Sequence, residues 1–368
     1  MGRRQRVVFR VDASTDIGSG HVMRCLTLAA ALAARGYDCH FICRVFPGNL
    51  IDLISQRGFA VHSLPELVQA PTYRFASSPA HSEWLGVPWS VDARESGQIV
   101  NQIGPAWVVV DHYALDANWQ RAVRKVSEHR LLVIDDLADR PHEADVLVDQ
   151  NLGRAPSDYA RFVPHDCRLL VGPQFALLRP EFSEFRPISL ERRRSPEVRR
   201  VLITMGGVDK DNITAKVLTS LEKCTLSPDI QIEVVLGRVA PWLESVKEQV
   251  AKMSACVRVD VDVNDMARRM TEADFAIGAA GSTSWERCCL GLPTLTLILA
   301  ENQKGVARAL SSAGACKSLE TVSLRNSLPD YWQAWTSPSE LHNMSSCSAG
   351  LTDGAGVERL CRAIAVCE

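Results

Sequence analysis

Asp12…Gly18-Ser19-Gly20-His21…Arg24 puts an imidazole directly behind a glycine turn, where a short apolar run, Arg6–Val11, stops and a helical repeat begins. Gly18 and Gly20 would let a ligand approach the backbone, and a first helical turn offers free N–H groups. The positive end of a helix disfavours imidazolium, which keeps a histidine there neutral and able to accept a proton near pH 7. His21 is therefore a candidate general base, with Asp12 either fixing its tautomer or binding substrate, and Arg24 within reach of the same ligand. The same spacing also fits a surface histidine and an aspartate that caps a turn. The stretch is not a dinucleotide fingerprint, because no third glycine follows at the required spacing and the second strand ends in Cys43-Arg44 without an acid.

Further polar groups collect behind apolar runs of strand length. Val110-Asp111-His112-Tyr113, Asp135-Asp136 and Asp149-Gln150-Asn151 all stand at such ends. Ligands gather beyond the carboxyl ends of strands in open α/β sheets, so four strands ending in aspartate predict a shared pocket, with Asp111, Tyr113 and Asn151 as binding candidates. Paired carboxylates also raise a divalent metal, but neighbours at a strand end point to opposite sides, and no metal is expected. In the second half, Thr204-Met205-Gly206-Gly207-Val208-Asp209…Asn212 is a glycine turn between strand and helix, suited to a diphosphate. It lacks the lysine of a P-loop, so nucleoside triphosphate hydrolysis is not expected. In GAAGSTSWERCC, Gly281 ends a strand and Ser282, Thr283 and Ser284 supply hydroxyls. Glu286 either accepts hydrogen bonds from a ribose diol or closes a capping box with Thr283. Asn302 and Gln303 open another helix and direct two amides to the same place.

The elements that must carry these residues follow from periodicity. In the first half the pattern predicts strands at Arg6–Val11, Cys39–Cys43, Trp107–Val110, Arg130–Ile134 and Asp145–Val148. Helices are predicted from the glycine turn to Arg35-Gly36, at Leu50–Arg57 and at Asn118–Glu128. The alternation breaks at Arg179–Arg200, a charged stretch with three prolines that reads as an interdomain linker. It resumes with strands at Val201–Met205, Ile230–Leu236, Val257–Val263, Phe275–Ile277 and Thr294–Leu299. Helices are expected at Ile213–Cys224, near Trp242–Met253, at Met266–Glu272, from Ser284 and at Val306–Ala313. The fold class is α/β: two Rossmann-type parallel-sheet domains facing across a cleft, over residues 1–178 and 201–350 with 179–200 between them. Residues 321–348, with Trp332 and Trp335, have weak periodicity. A last helix at Ala355–Val366, within 351–368, is expected to pack back on the first domain.

Composition narrows the function classes. The chain has 368 residues, 46% hydrophobic and 23% charged, with a formal net charge of -2. That balance gives no reason to expect nucleic acid or a membrane surface as partner. The basic clusters Gly2–Arg6 and Glu191–Arg194 read as solvated segments. No apolar run approaches the roughly 20 residues that span a bilayer, and a strand, not a leader segment, follows the basic start, so the expected compartment is the cytoplasm. Twelve cysteines without a CxxC pair read as small core residues.

Six blocks taken in order carry a resemblance: DASTDIGSGHVMRC (Asp12–Cys25), DHY (Asp111–Tyr113), DQN (Asp149–Asn151), GPQFALLRPEF (Gly172–Phe182), MGGVDKDN (Met205–Asn212) and GAAGSTSWE…ENQ (Gly278–Gln303). Over residues 6–315 the chain resembles the UDP-2,4-diacetamido-2,4,6-trideoxy-β-L-altropyranose hydrolases of pseudaminic acid biosynthesis. The resemblance implies the GT-B fold, a small-molecule UDP-sugar as substrate and no cofactor. It places UDP on the second domain, with Gly206 and Gly207 near the diphosphate, Ser282–Glu286 near phosphate and ribose, and Asn302 close to diphosphate or sugar. The family's presumed base lands on His21 and its sugar-side tyrosine on Tyr113. The implied reaction is inverting attack of water on the anomeric carbon. Three other readings compete: a glycosyltransferase on the same fold, a hydrolysing UDP-sugar 2-epimerase with Asp111 or His112 as base, and a non-catalytic nucleotide-sugar binder with no use for His21.

Overall fold

The computed structural model describes residues 4–65, 79–238 and 240–366. Gly2 and Arg3 of the N-terminal basic cluster lie outside them. The chain divides into two compact units, residues 1–177 with 357–368, and residues 178–356.

In the first unit the order is β1 (Arg6–Val11), α1 (Gly20–Ala33), β2 (Asp38–Arg44), α2 (Ile51–Gln56), β3 (Ala60–Leu64), α3 (Trp89–Ile103), β4 (Trp107–Asp111), α4 (Ala117–Arg124), β5 (Arg130–Ile134), β6 (Val146–Asp149) and β7 (Arg168–Val171). All seven strands are parallel, in the order β3-β2-β1-β4-β5-β6-β7. The order reverses between β1 and β4, which leaves a crevice at their carboxyl ends. Side chains alternate between the two sheet faces. Val7, Phe9 and Val11 of β1 and Val109 of β4 pack with Val22, Cys25, Leu28 and Leu32 of α1. Val8 of β1 and Val108 and Val110 of β4 pack with Val100 of α3 and Trp119 and Val123 of α4. The sequence reading passed over β3, α3 and β7. Helix α3 is largely polar, and of its buried residues only Ala93, Val100 and Ile103 join the apolar core.

The second unit runs α5 (Pro180–Arg192), β8 (Arg200–Thr204), α6 (Ile213–Leu221), β9 (Gln231–Leu236), α7 (Leu243–Val250), β10 (Cys256–Val261), α8 (Met266–Glu272), β11 (Phe275–Ala279), α9 (Thr283–Cys289), β12 (Thr294–Ile298), α10 (Lys304–Ser312), β13 (Lys317–Glu320), α11 (Leu324–Trp335) and α12 (Pro338–Ala349). Its six strands are parallel in the order β10-β9-β8-β11-β12-β13, with the reversal between β8 and β11. The closing helix, α13 (Gly356–Val366), buries Leu360, Cys361, Ala363 and Ile364 in the first unit's core.

The expected linker is instead helix α5. Pro180 sits in its first turn, where no N–H partner is needed, and its basic residues supply donors to carbonyls that helix ends leave free. Arg186 donates to Ala349 O at 2.8 Å, Ser189 Oγ to Leu290 O at 2.7 Å, and Arg193 to Met270 O at 3.0 Å and Ala273 O at 3.1 Å. Arg193 is therefore buried and not solvated. The weakly periodic tail forms two helices, with Leu324, Leu328 and Trp332 repeating every fourth residue into the core.

Candidate active site

Strand parity decides which aspartate meets His21. Asp111 follows Val109 by two residues and shares its face, beneath α1. There it meets His21 and Arg24, one helical turn apart. His21 Nδ1 lies 2.7 Å from Asp111 Oδ1. Arg24 clamps the same carboxylate, Nη2 to Oδ1 at 2.7 Å and Nε to Oδ2 at 2.6 Å. Burial alone would raise the Asp111 carboxyl, but Arg24 and His21 hold it well below the usual carboxylate range. A carboxylate only accepts, so Nδ1 carries the proton. Arg24 Nη2, 3.2 Å from Nδ1, cannot then bond to it. The other ring nitrogen, Nε2, is left bare as an acceptor, on a side chain at the edge of burial.

The same face gathers more. Arg24 Nη1 donates to Asp136 Oδ2 at 2.7 Å, and so does the Tyr113 hydroxyl at 2.7 Å. Asn151 Nδ2 reaches the Asp136 carbonyl at 3.3 Å. The Tyr113 ring meets His21 edge to face, with centroids 4.6 Å apart and planes at 86°. His21, Arg24, Asp111, Tyr113 and Asn151 are thus brought together by elements of one unit. Asp136, at the hub of this group, was not among the binding candidates; its i+2 relation to Ile134 on the α1 face was the available signal. Gly18, at φ +80°, turns the chain into α1 with open space where a side chain would stand, and Gly20 is the first residue of the helix.

Asp12 falls on the opposite face and does not touch His21. It shares the parity of Val8, so it meets Arg10 Nη1 at 2.7 Å, the Arg44 N–H at 2.7 Å and His112 Nε2 at 3.3 Å. Arg10 also binds Asp92 of α3 through Nε at 3.1 Å and Nη2 at 2.7 Å. Burial opposes ionisation, but Arg10 and His112 keep Asp12 well below the usual carboxylate range. This corrects the expectation that Asp12 orients the base: it is one member of a buried ionic network.

In the second unit, Gly206, at φ +88°, and Gly207 form the turn after β8. A Cβ on Gly237 would stand 2.0 Å from the Gly207 carbonyl, so the backbone passes there at glycine distance. Asp209 caps α6, accepting from the Ile213 N–H at 2.8 Å and the Thr214 N–H at 2.9 Å. Each of its oxygens thus accepts one N–H of the helix. Asn212 enters α6 at φ +50° with a buried, unpartnered Oδ1.

Thr283 and Glu286 do not make a capping box, because α9 has no side-chain cap and Thr283 already lies inside it. Arg287 holds the hydroxyls instead. Its Nη1 donates to Thr283 Oγ1 at 3.2 Å, and its Nη2 donates to Ser284 Oγ at 3.0 Å and to Ala279 O at 2.8 Å. Each hydroxyl accepts from the guanidinium and keeps its own proton to donate elsewhere. Arg287 is buried, and among the described residues no carboxylate pairs with it. Burial pushes the half-buried Glu286 carboxyl up to about 7, against Arg179 and Arg287. Gly281 has open space about its Cα, and Ser282 is exposed. The Gln303 side chain accepts from the Leu299 N–H at 3.0 Å. The Asn302 side chain lies outside the described residues. Among those residues no group of three or more His, Cys, Asp or Glu is arranged to hold a metal ion.

No family model matches the chain. The UDP-2,4-diacetamido-2,4,6-trideoxy-β-L-altropyranose hydrolase of Campylobacter jejuni is 25% identical over 309 residues, 84% of this chain and 97% of that protein. This chain resembles that hydrolase. Among solved structures, MurG of Acinetobacter baumannii superposes with a TM-score of 0.71 at 14% identity, covering 98% of this chain and 99% of its own. A putative UDP-N-acetylglucosamine 2-epimerase from Listeria monocytogenes gives 0.59 at 12% identity, covering 98% and 96%. The fold is the GT-B fold, two parallel α/β units.

Proposed function

We propose that this chain hydrolyses a UDP-sugar, releasing UDP and the free sugar by attack of water on the anomeric carbon. The observation that carries the reading is the His21 Nδ1–Asp111 contact at 2.7 Å, which leaves Nε2 free to take a proton. Asp111 also stabilises the imidazolium that forms, and Arg24 keeps Asp111 ionised and in place. Tyr113 and Asn151, tied to Asp136, line the sugar side. The second unit takes the UDP: the Gly206-Gly207 turn and the Thr283 and Ser284 hydroxyls, held as donors by Arg287, meet the diphosphate, and Glu286 meets the ribose. UDP leaves as an anion that these donors stabilise, so no acid is needed to protonate it. A single displacement by water, without a nucleophilic carboxylate, inverts the anomeric configuration. The substrate we propose is UDP-2,4-diacetamido-2,4,6-trideoxy-altropyranose, the one in the name of the Campylobacter relative.

The test is UDP release from that substrate with no acceptor present, for wild type and His21→Gln. Wild type is expected to turn over and His21→Gln to lose about 10²–10⁴ in kcat, the usual contribution of a general base. Equal rates would remove His21 from the chemistry. Turnover only after an acceptor hydroxyl is added would make the chain a transferase.

A further inference from the structure

Beside the base stands a wall of rings that none of the six resembling blocks contains, apart from Tyr113. Trp84 stacks on Tyr113 with centroids 5.7 Å apart at 23°, and His81 lies 4.4 Å from Trp84 and 5.5 Å from Tyr113. Tyr113 in turn meets His21 at 4.6 Å. Tyr113 is pinned, its hydroxyl on Asp136 and the Arg140 guanidinium 5.9 Å from its ring. His81 caps a single 3-10 turn, Ser82–Leu85, which carries Trp84 and is closed by Gly86 at φ +70°. Leu85 and Val87 enter the core on the α3–α4 face of the sheet and anchor the turn, whereas Trp84 is not part of that core. Both Trp84 and His81 stay half-exposed. Burial holds His81 below the ordinary histidine value, although Asp139 and Glu83 pull it up, so the wall is uncharged near pH 7.

An indole that the core does not use, stacked on the sugar-side tyrosine and two rings from the base, presents apolar area where substrate must sit. C–H groups and methyls pack well on such a face, whereas a hydroxyl pressed against it loses hydration without a partner. We propose that Trp84 and His81 determine sugar specificity, packing against a methyl-bearing edge of the sugar, either a ring methyl or an acetamido methyl. This rests on the UDP-sugar reading above.

The experiment uses the full chain with UDP-2,4-diacetamido-2,4,6-trideoxy-altropyranose, UDP-N-acetylglucosamine and UDP alone. KM and kcat are measured by UDP release, and Kd by calorimetry. Trp84→Ala is expected to raise KM for the diacetamido substrate about four- to fifteenfold, the worth of one or two buried methyls. It should leave the Kd of UDP unchanged and narrow the preference over UDP-N-acetylglucosamine. Trp84→Phe should recover most of the loss, and His81→Ala should raise KM about two- to fivefold. An unchanged KM ratio between the two sugars, or a fall in kcat alone, overturns the proposal. If Trp84→Ala does not fold, Trp84→Phe and His81→Ala decide by the same ratio. If wild type releases no UDP from either substrate, the hydrolase reading fails. The wall is then judged by calorimetry alone: it stands if Trp84→Phe keeps, and Trp84→Ala abolishes, the extra affinity of the UDP-sugar over UDP.

Discussion

Replacing Asp111 by asparagine exchanges one acceptor oxygen for an NH₂ group in a place where four donor contacts converge, the Cys25 thiol at 3.5 Å from Oδ2 among them. Asp111 Oδ1 faces His21 Nδ1 and Arg24 Nη2, and Oδ2 faces Arg24 Nε at 2.6 Å. The amide oxygen can serve only one side. Turned toward the charged Nε–H it leaves NH₂ facing Nδ1, which must then accept, and the ring proton moves to Nε2. That is the tautomer that cannot take a proton from water. The analogous Asp→Asn change in a serine-protease triad lowers kcat about 10⁴-fold for this reason, and a loss of about 10³–10⁴ is expected here, some 4–5 kcal/mol of barrier. KM should move less than about threefold, because the contacts of the carboxylate go to His21, Arg24 and Cys25. His21→Ala should lose a similar factor and the double variant no more than either single one, as for residues that act as a unit. The assay is steady-state UDP release, with thermal unfolding to show that each variant is folded. Activity of Asp111→Asn within tenfold of wild type, or multiplicative losses in the double variant, would refute the tautomer argument. Because the folded carboxyl is held low, its contribution to stability is complete above its ordinary value near 3.9 and is lost only as pH falls below it.

Asp12→Ala should act on stability and not on chemistry: Arg10 keeps Asp92 but loses one of its two carboxylates, and the Arg44 N–H loses its acceptor, at a cost of about 1–3 kcal/mol by urea unfolding. The kcat of the folded fraction should change less than about fivefold. Asp149 is pushed up to about 7, first by burial and then by Asp136. The folded state therefore holds a proton that the unfolded chain releases near 3.9, and stability falls as pH rises from about 4 to 7, by at most about 4 kcal/mol. Asp149→Asn keeps an acceptor for Tyr159 and should flatten that decline, so its Tm gain over wild type should be larger at pH 8 than at pH 5. Arg287→Met should weaken UDP binding about tenfold by calorimetry, since Thr283 and Ser284 lose the donors that orient them. Its Tm should change little, because burying an unpaired guanidinium was itself costly.

Much of the scaffold was legible because parallel strands buried on both faces read as short apolar runs, and Arg130–Ile134 and Met266–Glu272 were placed to the residue. Helix α3 was missed because its buried face is discontinuous and two of its buried residues, Asp92 and Ser96, are polar. The stretch 179–200 was misread because charge and proline suggest solvent, whereas guanidinium groups can also close the carbonyl ends of helices. At the candidate site, strand-end position singled out Asp111, Tyr113 and Asn151, which the fold brings together, but the pairing of Asp12 required parity: Arg10 and Asp12 share one face, Val11 and α1 the other. The cap that Asp209 places on α6 was not read, because an aspartate after a glycine turn fits a helix cap and a substrate contact equally well. Trp84 and His81 carried no periodic signal at all, and only the ring contacts reveal them.

Turnover in oxygen-18 water, without acceptor, tests the central claim most directly. If His21 directs water to the anomeric carbon, the label appears in the free sugar, UDP stays unlabelled, and His21→Ala forms both products about 10³–10⁴ times more slowly. Label in the released UDP would mean attack at phosphorus and would contradict the account.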